Sequence, residues 1–137
     1  MTKITKLDEG STLVETMAAV FLFALVMGAI LDVSVQSMTM GKRSEYAFTA
    51  YNLAKNHIET LKSMPFGNLP NADETSTYLD ATGAASENGP FVRSTTVTTN
   101  YTGDSNLVQI QVSVNYLWKG ALSANATQLS SVIFMYS

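Results

Sequence analysis

The sequence predicts an α+β fold, in which the C-terminal half of a long N-terminal membrane-spanning α-helix packs on a small three-stranded antiparallel β-sheet. Three observations lead to this prediction. Residues 16–31 form a run of sixteen residues without a charge. No proline occurs before Pro65, so nothing forces the helix to end soon after this run. From residue 91 onward, β-branched residues and alternating apolar positions replace the helical pattern.

The overall composition argues against several functional classes. The 137 residues carry a formal net charge of −3, and only 14% of them are charged, against about 25% in typical soluble domains. The chain has no cysteine, which excludes disulfides, thiolate zinc sites and cysteine nucleophiles. The acidic balance argues against direct binding to nucleic acid.

The uncharged run is the centre of a predicted transmembrane helix over residues 11–35. At about 1.5 Å per residue, this helix would be about 37 Å long, enough to cross a hydrocarbon core of about 30 Å. Glu15 and Asp32 would then lie near the two edges, where a carboxylate costs less than at the bilayer centre. Two lysines among the first six residues predict a cytoplasmic N-terminus and an exported C-terminal part.

The helix is predicted to continue as an amphipathic segment over residues 36–64. Between residues 47 and 61, apolar residues recur at spacings of four and three, which places them on one helix face. The residues predicted to pack on the sheet are Ala47, Tyr51, Ala54, Ile58 and Leu61. His57 is the only histidine, lies beside this stripe, and is predicted to be a surface or interface residue.

The rest of the chain is predicted to form an acidic loop over residues 65–90 and a sheet over residues 91–137. The loop holds four carboxylates and no basic residue. A solvated connector is favoured, with calcium binding as the alternative. Strands are predicted at residues 91–101, 107–118 and 129–136, and alternation in the middle strand predicts one face made of Val108, Ile110, Val112, Val114 and Tyr116. Because a bare three-stranded sheet is marginal in water, we expect the helical stripe to cover it.

A short motif at the start of the apolar helix resembles the processing site of type IV prepilins and the related pseudopilins. A polar leader ends in glycine, and a small residue and a Thr-Leu-Val-Glu segment open the helix, reading Gly10-Ser11-Thr12-Leu13-Val14-Glu15. Residues 51–66 and 112–116 are also similar to minor pilins and to small type II secretion pseudopilins. The absence of cysteine removes the C-terminal disulfide usual in major pilins, and this departure favours a minor subunit.

The resemblance implies a specific processing pathway. Prepilin peptidase would cut after Gly10 on the cytoplasmic face, and Ser11 would become the N-methylated first residue. The motif residues that stay with the mature helix are Thr12, Leu13 and Val14. Glu15 would help the subunit enter the growing fibre by pairing with the new N-terminal amine of a neighbour, since a carboxylate in an apolar helix is costly to desolvate alone.

The expected function is therefore that of a structural subunit of a type IV pilus or a type II secretion pseudopilus, most simply a minor pilin that primes, caps or adapts the fibre. The implied partners are other pilin or pseudopilin subunits, prepilin peptidase, the inner-membrane assembly platform and, before assembly, membrane lipid. The implied location is the bacterial inner membrane, as a single-pass protein with its C-terminal part in the periplasm or outside, and then the fibre. No enzymatic activity, metal or other cofactor is expected, because the sequence has no nucleophile-base arrangement, phosphate loop or metal-ligand spacing.

This interpretation divides the chain into five segments: a leader at 1–10, a transmembrane and fibre-core helix at 11–35, its amphipathic continuation at 36–64, the acidic loop at 65–90 and the sheet at 91–137. Two alternatives stay open. One is an exported binding module, such as a tip adhesin, that contacts a secreted substrate or a surface through the loop or the sheet. The other is a β-rich domain secreted after signal-peptide cleavage, with a mature chain that begins near Met38.

Overall fold

The computed structural model describes residues 8–135, with side chains from Thr12 onward, and confirms the α+β fold. The elements are helix α1 at Asp8–Lys62, a 3-10 helix at Phe66–Ala72, β1 at Glu74–Leu79, β2 at Phe91–Thr99, a 3-10 turn at Tyr101–Gly103, β3 at Leu107–Trp118, β4 at Ala121–Leu122 and β5 at Thr127–Phe134. Three features used in the sequence analysis lie outside the described residues: most of the leader, the lysines at positions 3 and 6, and Tyr136 at the end of the last predicted strand.

Helix α1 is continuous from Asp8 to Lys62, and its bounds are close to the predicted helix at 11–64. Its last residue is Lys62, and the helix ends before Pro65, as expected because the residue before a proline avoids the helical conformation. The chain divides into two compact units between Lys42 and Arg43. Over the described residues, the first unit is helix alone. The second unit, which we call the head, contains the end of α1 and the whole sheet.

The sheet of the head is antiparallel throughout, with β3 at its centre. Strand β3 pairs with β2 on one side and with β5 on the other, and β1 pairs with the outer side of β2. The short β4 pairs with the last two residues of β3. The register of β2 on β3 runs from Phe91 opposite Tyr116 to Thr99 opposite Val108 without a break.

The sheet has two strands more than the three that the sequence predicts. The short β4 follows the turn after β3, and β1 lies in residues 65–90, which are not a loop throughout. They contain the 3-10 helix and β1. Strand β1 reads ETSTYL and buries only Leu79, so it lacks the apolar alternation that identifies a half-buried strand. A bulge at Ser76, which has a φ of 53°, interrupts its pairing with β2. Backbone pairing, and not an apolar pattern, makes this segment a strand.

The core of the head lies between one face of α1 and one face of the sheet. Strand β3 supplies four buried residues, all of them predicted: Val108, Ile110, Val112 and Val114. The fifth predicted residue, Tyr116, is half-buried and packs against this cluster. The helix supplies Ala50, Leu53, Ala54, Ile58 and Leu61. The core is therefore a single apolar layer between two elements that are distant in sequence.

The buried helix face differs from the predicted stripe at its N-terminal end. Ala54, Ile58 and Leu61 are in the core and Ala47 is half-buried, but Tyr51 is 43% exposed and lies outside the core cluster. Ala50 and Leu53 are buried in its place. Residues three and four positions apart share a helix face. The same apolar spacing therefore also fits a buried stripe that is displaced by one residue from the predicted one.

Two glycines fix the end of the sheet where β2, β3 and β4 meet. Lys119 and Gly120 connect β3 to β4, with φ values of 52° and 82°. A two-residue hairpin loop of this type needs positive φ at both positions, which explains the glycine. Gly89 precedes β2, and a Cβ atom there would overlap the backbone carbonyl of Leu79. Both positions therefore depend on the absence of a side chain.

We expect the contact between helix and sheet to dominate the stability of the head. Leu61→Ala should lower the free energy of unfolding by about 2–5 kcal/mol, because Leu61 is almost fully buried and its loss leaves a cavity. Leu122→Ala is the matched control, since Leu122 is 56% exposed, and it should change the free energy by no more than about 0.5 kcal/mol. Urea unfolding of the full chain in detergent micelles, followed by the fluorescence of the only tryptophan, Trp118, measures both. Equal effects of the two variants would contradict this packing.

Candidate assembly surface and polar sites of the head

The N-terminal part of α1 presents apolar side chains on all of its faces. Every residue from Thr12 to Met38 is exposed, including the large residues Phe21, Leu22 and Phe23. The helix is long and apolar enough to cross a membrane. An apolar surface of this extent is far larger than the patches that soluble monomers expose.

The two carboxylates that flank the uncharged run differ in their local partners. Asp32 accepts a hydrogen bond from the Nε2 atom of Gln36 at 2.9 Å, one turn further along the helix. The side chain of Glu15 has no hydrogen bond and no ion pair with any residue that the structure describes. The neighbouring Thr16 hydroxyl donates to the carbonyl of Leu13, at 2.9 Å, and not to Glu15. Of the two flanking carboxylates, Glu15 is therefore the one without a partner among the described residues.

The residues of the predicted processing motif lie at the beginning of α1. The backbone of Gly10 and Ser11 is helical, while their side chains lie outside the described atoms. Thr12, Leu13 and Val14 are helical and exposed. The peptide bond after Gly10 is close to Asp8, the first described residue of α1.

Three ionisable side chains from three elements meet at the edge of the core. We call them the polar cluster: His57 from α1, Glu74 from β1 and Arg93 from β2. The Nε and Nη2 atoms of Arg93 donate to the two carboxylate oxygens of Glu74, at 2.7 and 2.9 Å. The Nε2 atom of His57 lies 3.7 Å from the nearer oxygen. The cluster therefore ties β1 to β2 and brings a charged pair against the helix.

The sequence does not predict this polar cluster. His57 is predicted to be a surface or interface residue and Glu74 to lie in a solvated loop. The pairing of β1 with β2 is what brings Glu74 to Arg93. The sequence contains one indication of the polar cluster, which is that Arg93 is the only charged residue in the predicted strand at 91–101. It alternates with Phe91 and Thr95, both of which face the core, and a charge on a core face needs a partner.

The electrostatics of the polar cluster keep Glu74 charged and His57 neutral. Hydrogen bonds from Arg93 lower the pKa of Glu74 below its ordinary value, although burial opposes this shift. Burial lowers the pKa of His57, the positive charge of Arg93 lowers it further, and Glu74 only partly compensates. A neutral His57 is consistent with its Nε2 atom, which is buried and has no hydrogen-bond partner among the described residues.

The carboxylates of residues 65–90 are largely occupied by donors from the chain itself. Asp73 accepts from the backbone N–H of Val97 at 2.6 Å, and Asp80 accepts from the hydroxyl of Thr82 at 2.6 Å. This hydroxyl lowers the pKa of Asp80. Among residues 8–135, no group of three or more acidic or histidine side chains is placed to hold a metal ion. The calcium alternative gains no support from this geometry.

An aromatic cleft, which the sequence analysis did not predict, lies at the end of the sheet formed by β3 and β4. Tyr46 of α1 contacts the rings of Phe91, Tyr116 and Trp118, with centroid distances of 5.7–5.9 Å. Arg43 lies over the ring of Trp118, with its guanidinium carbon 5.5 Å from the ring centroid. The cleft beside these residues has a volume of about 360 Å³.

No family model, curated protein or solved structure matches the chain. A long apolar N-terminal helix whose later part packs on an antiparallel sheet is compatible with a pilin-like fold.

We expect acid to weaken the head through His57. Because the pKa of His57 is lower in the folded head than its ordinary value of 6.5, its contribution to stability is complete above that value and is lost as the pH falls through the folded pKa. The pKa of Glu74 is also lowered, but from 4.5, so its contribution is lost only in stronger acid. His57 is the only histidine, so no other side chain has an ordinary pKa in this window. The urea midpoint of the full chain should therefore fall between about pH 7.5 and about pH 5.5.

His57→Gln separates this effect from general acid sensitivity. Glutamine keeps a polar side chain at this position but does not titrate, so the midpoint of the variant should change less over the same interval. Its absolute stability is not the readout, because the amide makes different contacts. An equal fall in the variant and the wild type would exclude His57 as the source.

Proposed function

We propose that this chain is a structural subunit of a type IV pilus or a type II secretion pseudopilus, most simply a minor subunit that primes, caps or adapts the fibre. The observation that carries the proposal is the exposed apolar segment of α1 with an unpartnered carboxylate at Glu15, five residues after Gly10. A solvated helix would not tolerate this surface. A helix that moves between a bilayer and a bundle of other helices requires it.

Cleavage after Gly10 supplies the missing partner in this proposal. Prepilin peptidase removes residues 1–10 on the cytoplasmic side, and the new amine of Ser11 is methylated and remains positively charged. A neighbouring subunit's Glu15 then finds a cation within the apolar fibre core. Desolvating a lone carboxylate costs several kcal/mol, and an ammonium group with good geometry offsets much of that cost. An uncleaved chain lacks this cation at the end of its helix, so processing precedes assembly.

The membrane and the assembly platform hold the subunit before it joins the fibre. The segment at 11–35 spans the inner membrane with its N-terminus in the cytoplasm, so the head lies on the exported side. Other pilin or pseudopilin subunits replace lipid around the helix during assembly. The head remains folded throughout, since its core residues from α1 begin at Ala50, beyond the span. This arrangement supports a role in which the helix joins the fibre and the head determines what the subunit contributes there.

The mass of the mature protein tests the processing step. We expect the intact mass of the chain from bacteria that contain prepilin peptidase to correspond to residues 11–137 with one added methyl group. A strain without the peptidase should yield the uncleaved chain, which is the control. A mature chain that begins near Met38 would contradict the proposal and support the secreted β-rich domain.

Removal of the Glu15 carboxylate tests the assembly step. Glu15→Val should be cleaved normally but should reach sheared fibres at a level lower by about tenfold, which corresponds to about 1.4 kcal/mol, because the N-terminal amine of its neighbour loses its partner. Asp32→Val is the matched control, since Asp32 already has a local partner in Gln36 and its replacement should matter less. Fibre fractions quantified by immunoblot against the membrane pool measure both. Wild-type amounts of Glu15→Val in the fibres would remove Glu15 from the mechanism.

A further inference from the structure

Strand β5 forms one edge of the sheet of the head and lacks the features that protect such edges. It pairs with β3 on one side, and no strand among the described residues pairs with its other side. Its eight residues at Thr127–Phe134 include no charged residue, no glycine and no proline, and their pairing with β3 has no bulge. Edge strands are usually protected from further pairing by a charge, a proline, a bulge or a short length. Strand β5 is therefore open to another strand.

The opposite edge of the sheet is protected. Strand β1 begins at the charged residue Glu74, and a bulge at Ser76 interrupts its pairing with β2. Both features hinder another strand from pairing along β1. The contrast between the two edges indicates that β5 is a surface for strand addition, in which the backbone of one chain extends the sheet of another.

The hydrogen bonds of the sheet show which backbone groups of β5 remain open. The N–H of Met135 donates to the carbonyl of Asn106 at 3.0 Å. Bonded and non-bonded pairs alternate along antiparallel strands, so the odd-numbered residues of β5 bond to β3. The N–H and carbonyl groups of Gln128, Ser130 and Val132 then point away from β3, where they form no hydrogen bond with any residue that the structure describes. All three residues are exposed, and a second extended backbone presents the matching groups.

The sequence of β5 is complementary to a second copy of the same strand. Leu129 and Ile133 lie two residues before and two residues after Ser131, and both pack against the core of the head. When two β5 strands run antiparallel and are centred on Ser131, Leu129 of each copy lies opposite Ile133 of the other, so the apolar layer continues between the heads. In the same register Ser130 lies opposite Val132, so their open backbone groups pair. No like charges oppose each other, because β5 has no charged residue.

We propose that the open edge of β5 binds the β5 edge of a second copy of this chain, so that two heads share one continuous antiparallel sheet. The contact has two-fold symmetry and closes after two copies, so it does not by itself build a fibre. A single strand edge is a small interface, and small interfaces dissociate readily. In the proposed function, the membrane holds the subunits before assembly, which raises the effective concentration of one head at another. The pair is therefore a form of the subunit before it joins the fibre.

This inference depends on residues of the head and not on cleavage after Gly10 or on the carboxylate of Glu15. An uncleaved chain would still form the pair, whereas a normally processed subunit could lack it. The failure of this inference is therefore distinguishable from the failure of the proposed function.

Single cysteines test the pair directly, because the chain has no cysteine of its own. Ser131→Cys places two thiols opposite each other at the centre of the pair. Mild oxidation of the full chain in detergent micelles should join them in a disulfide, which appears as a dimer on a non-reducing gel. Thr75→Cys is the matched control, since Thr75 is exposed on the other edge strand and reports chance collisions only. We expect at least about fivefold more dimer from Ser131→Cys, because a disulfide requires Cα atoms within about 7 Å of each other.

Substitutions at Val132 test whether the edge itself makes the contact. Val132→Lys, introduced together with Ser131→Cys, places a charge on the edge and should lower the dimer yield at least about fivefold. Val132→Thr, in the same background, keeps an uncharged β-branched residue and should retain most of the yield. Val132 is 47% exposed, so neither change should unfold the head, and equal urea midpoints verify this.

A cysteine at the neighbouring position tests the register. Ser130→Cys should give less dimer than Ser131→Cys, because Ser130 lies opposite Val132 and not opposite itself. Equal yields from the two variants would indicate parallel pairing and overturn the proposal. It is also overturned if Val132→Lys leaves the yield unchanged, or if Ser131→Cys gives no more dimer than Thr75→Cys, which is the result expected if a strand of a different protein occupies this edge.

Discussion

The head depends on one contact, the packing of the C-terminal part of α1 on the core face of β3. Val108, Ile110 and Val112 are fully buried there, and a small antiparallel sheet with such a face is not stable until something covers it. All helix residues of this core follow Arg43. The apolar segment that precedes it therefore adds nothing to the core of the head. Its composition must be explained by what surrounds it outside the head, which is why the proposed function begins there.

The polar cluster shows how a strand without an apolar pattern is held on this core. Strand β1 buries only Leu79, so its attachment depends on backbone pairing with β2 and on the Arg93–Glu74 pair. A half-buried ion pair adds little net stability, because the loss of hydration offsets the attraction. The ion pair does make other registers of β1 unfavourable. A shift of β1 by one residue would leave the charge of Arg93 against the core without the carboxylate of Glu74. We infer that the cluster fixes the register of β1, where the bulge at Ser76 would otherwise allow slippage.

The sequence predicts the elements whose apolar residues recur at a regular spacing. It does not predict the features that form only when residues distant in sequence pair with each other. Helix α1 and strand β3 were predicted because each repeats its apolar residues at its own period over many residues. Tyr51 was placed on the buried face because helical spacing allows two neighbouring stripes, and only the sheet decides between them. Strand β1, the polar cluster and the aromatic cleft each need residues that are distant in sequence, such as Glu74 and Arg93, which no local pattern connects. The motif that contains Glu15 was noticed through its resemblance to the processing site of type IV prepilins, and not through periodicity.

In the proposed function, the apolar surface of α1 cannot by itself drive the subunit out of the membrane. Lipid chains are as apolar as the leucine and valine side chains of a neighbouring helix, so the exchange of one cover for the other gains little hydrophobic free energy. The difference between the two environments must come from groups that lipid does not satisfy. Asp32 carries its own partner, Gln36, into either environment. Glu15 does not, and it becomes fully paired only where another subunit's amine is available. A single unpaired carboxylate can therefore give direction to an exchange that is otherwise nearly neutral.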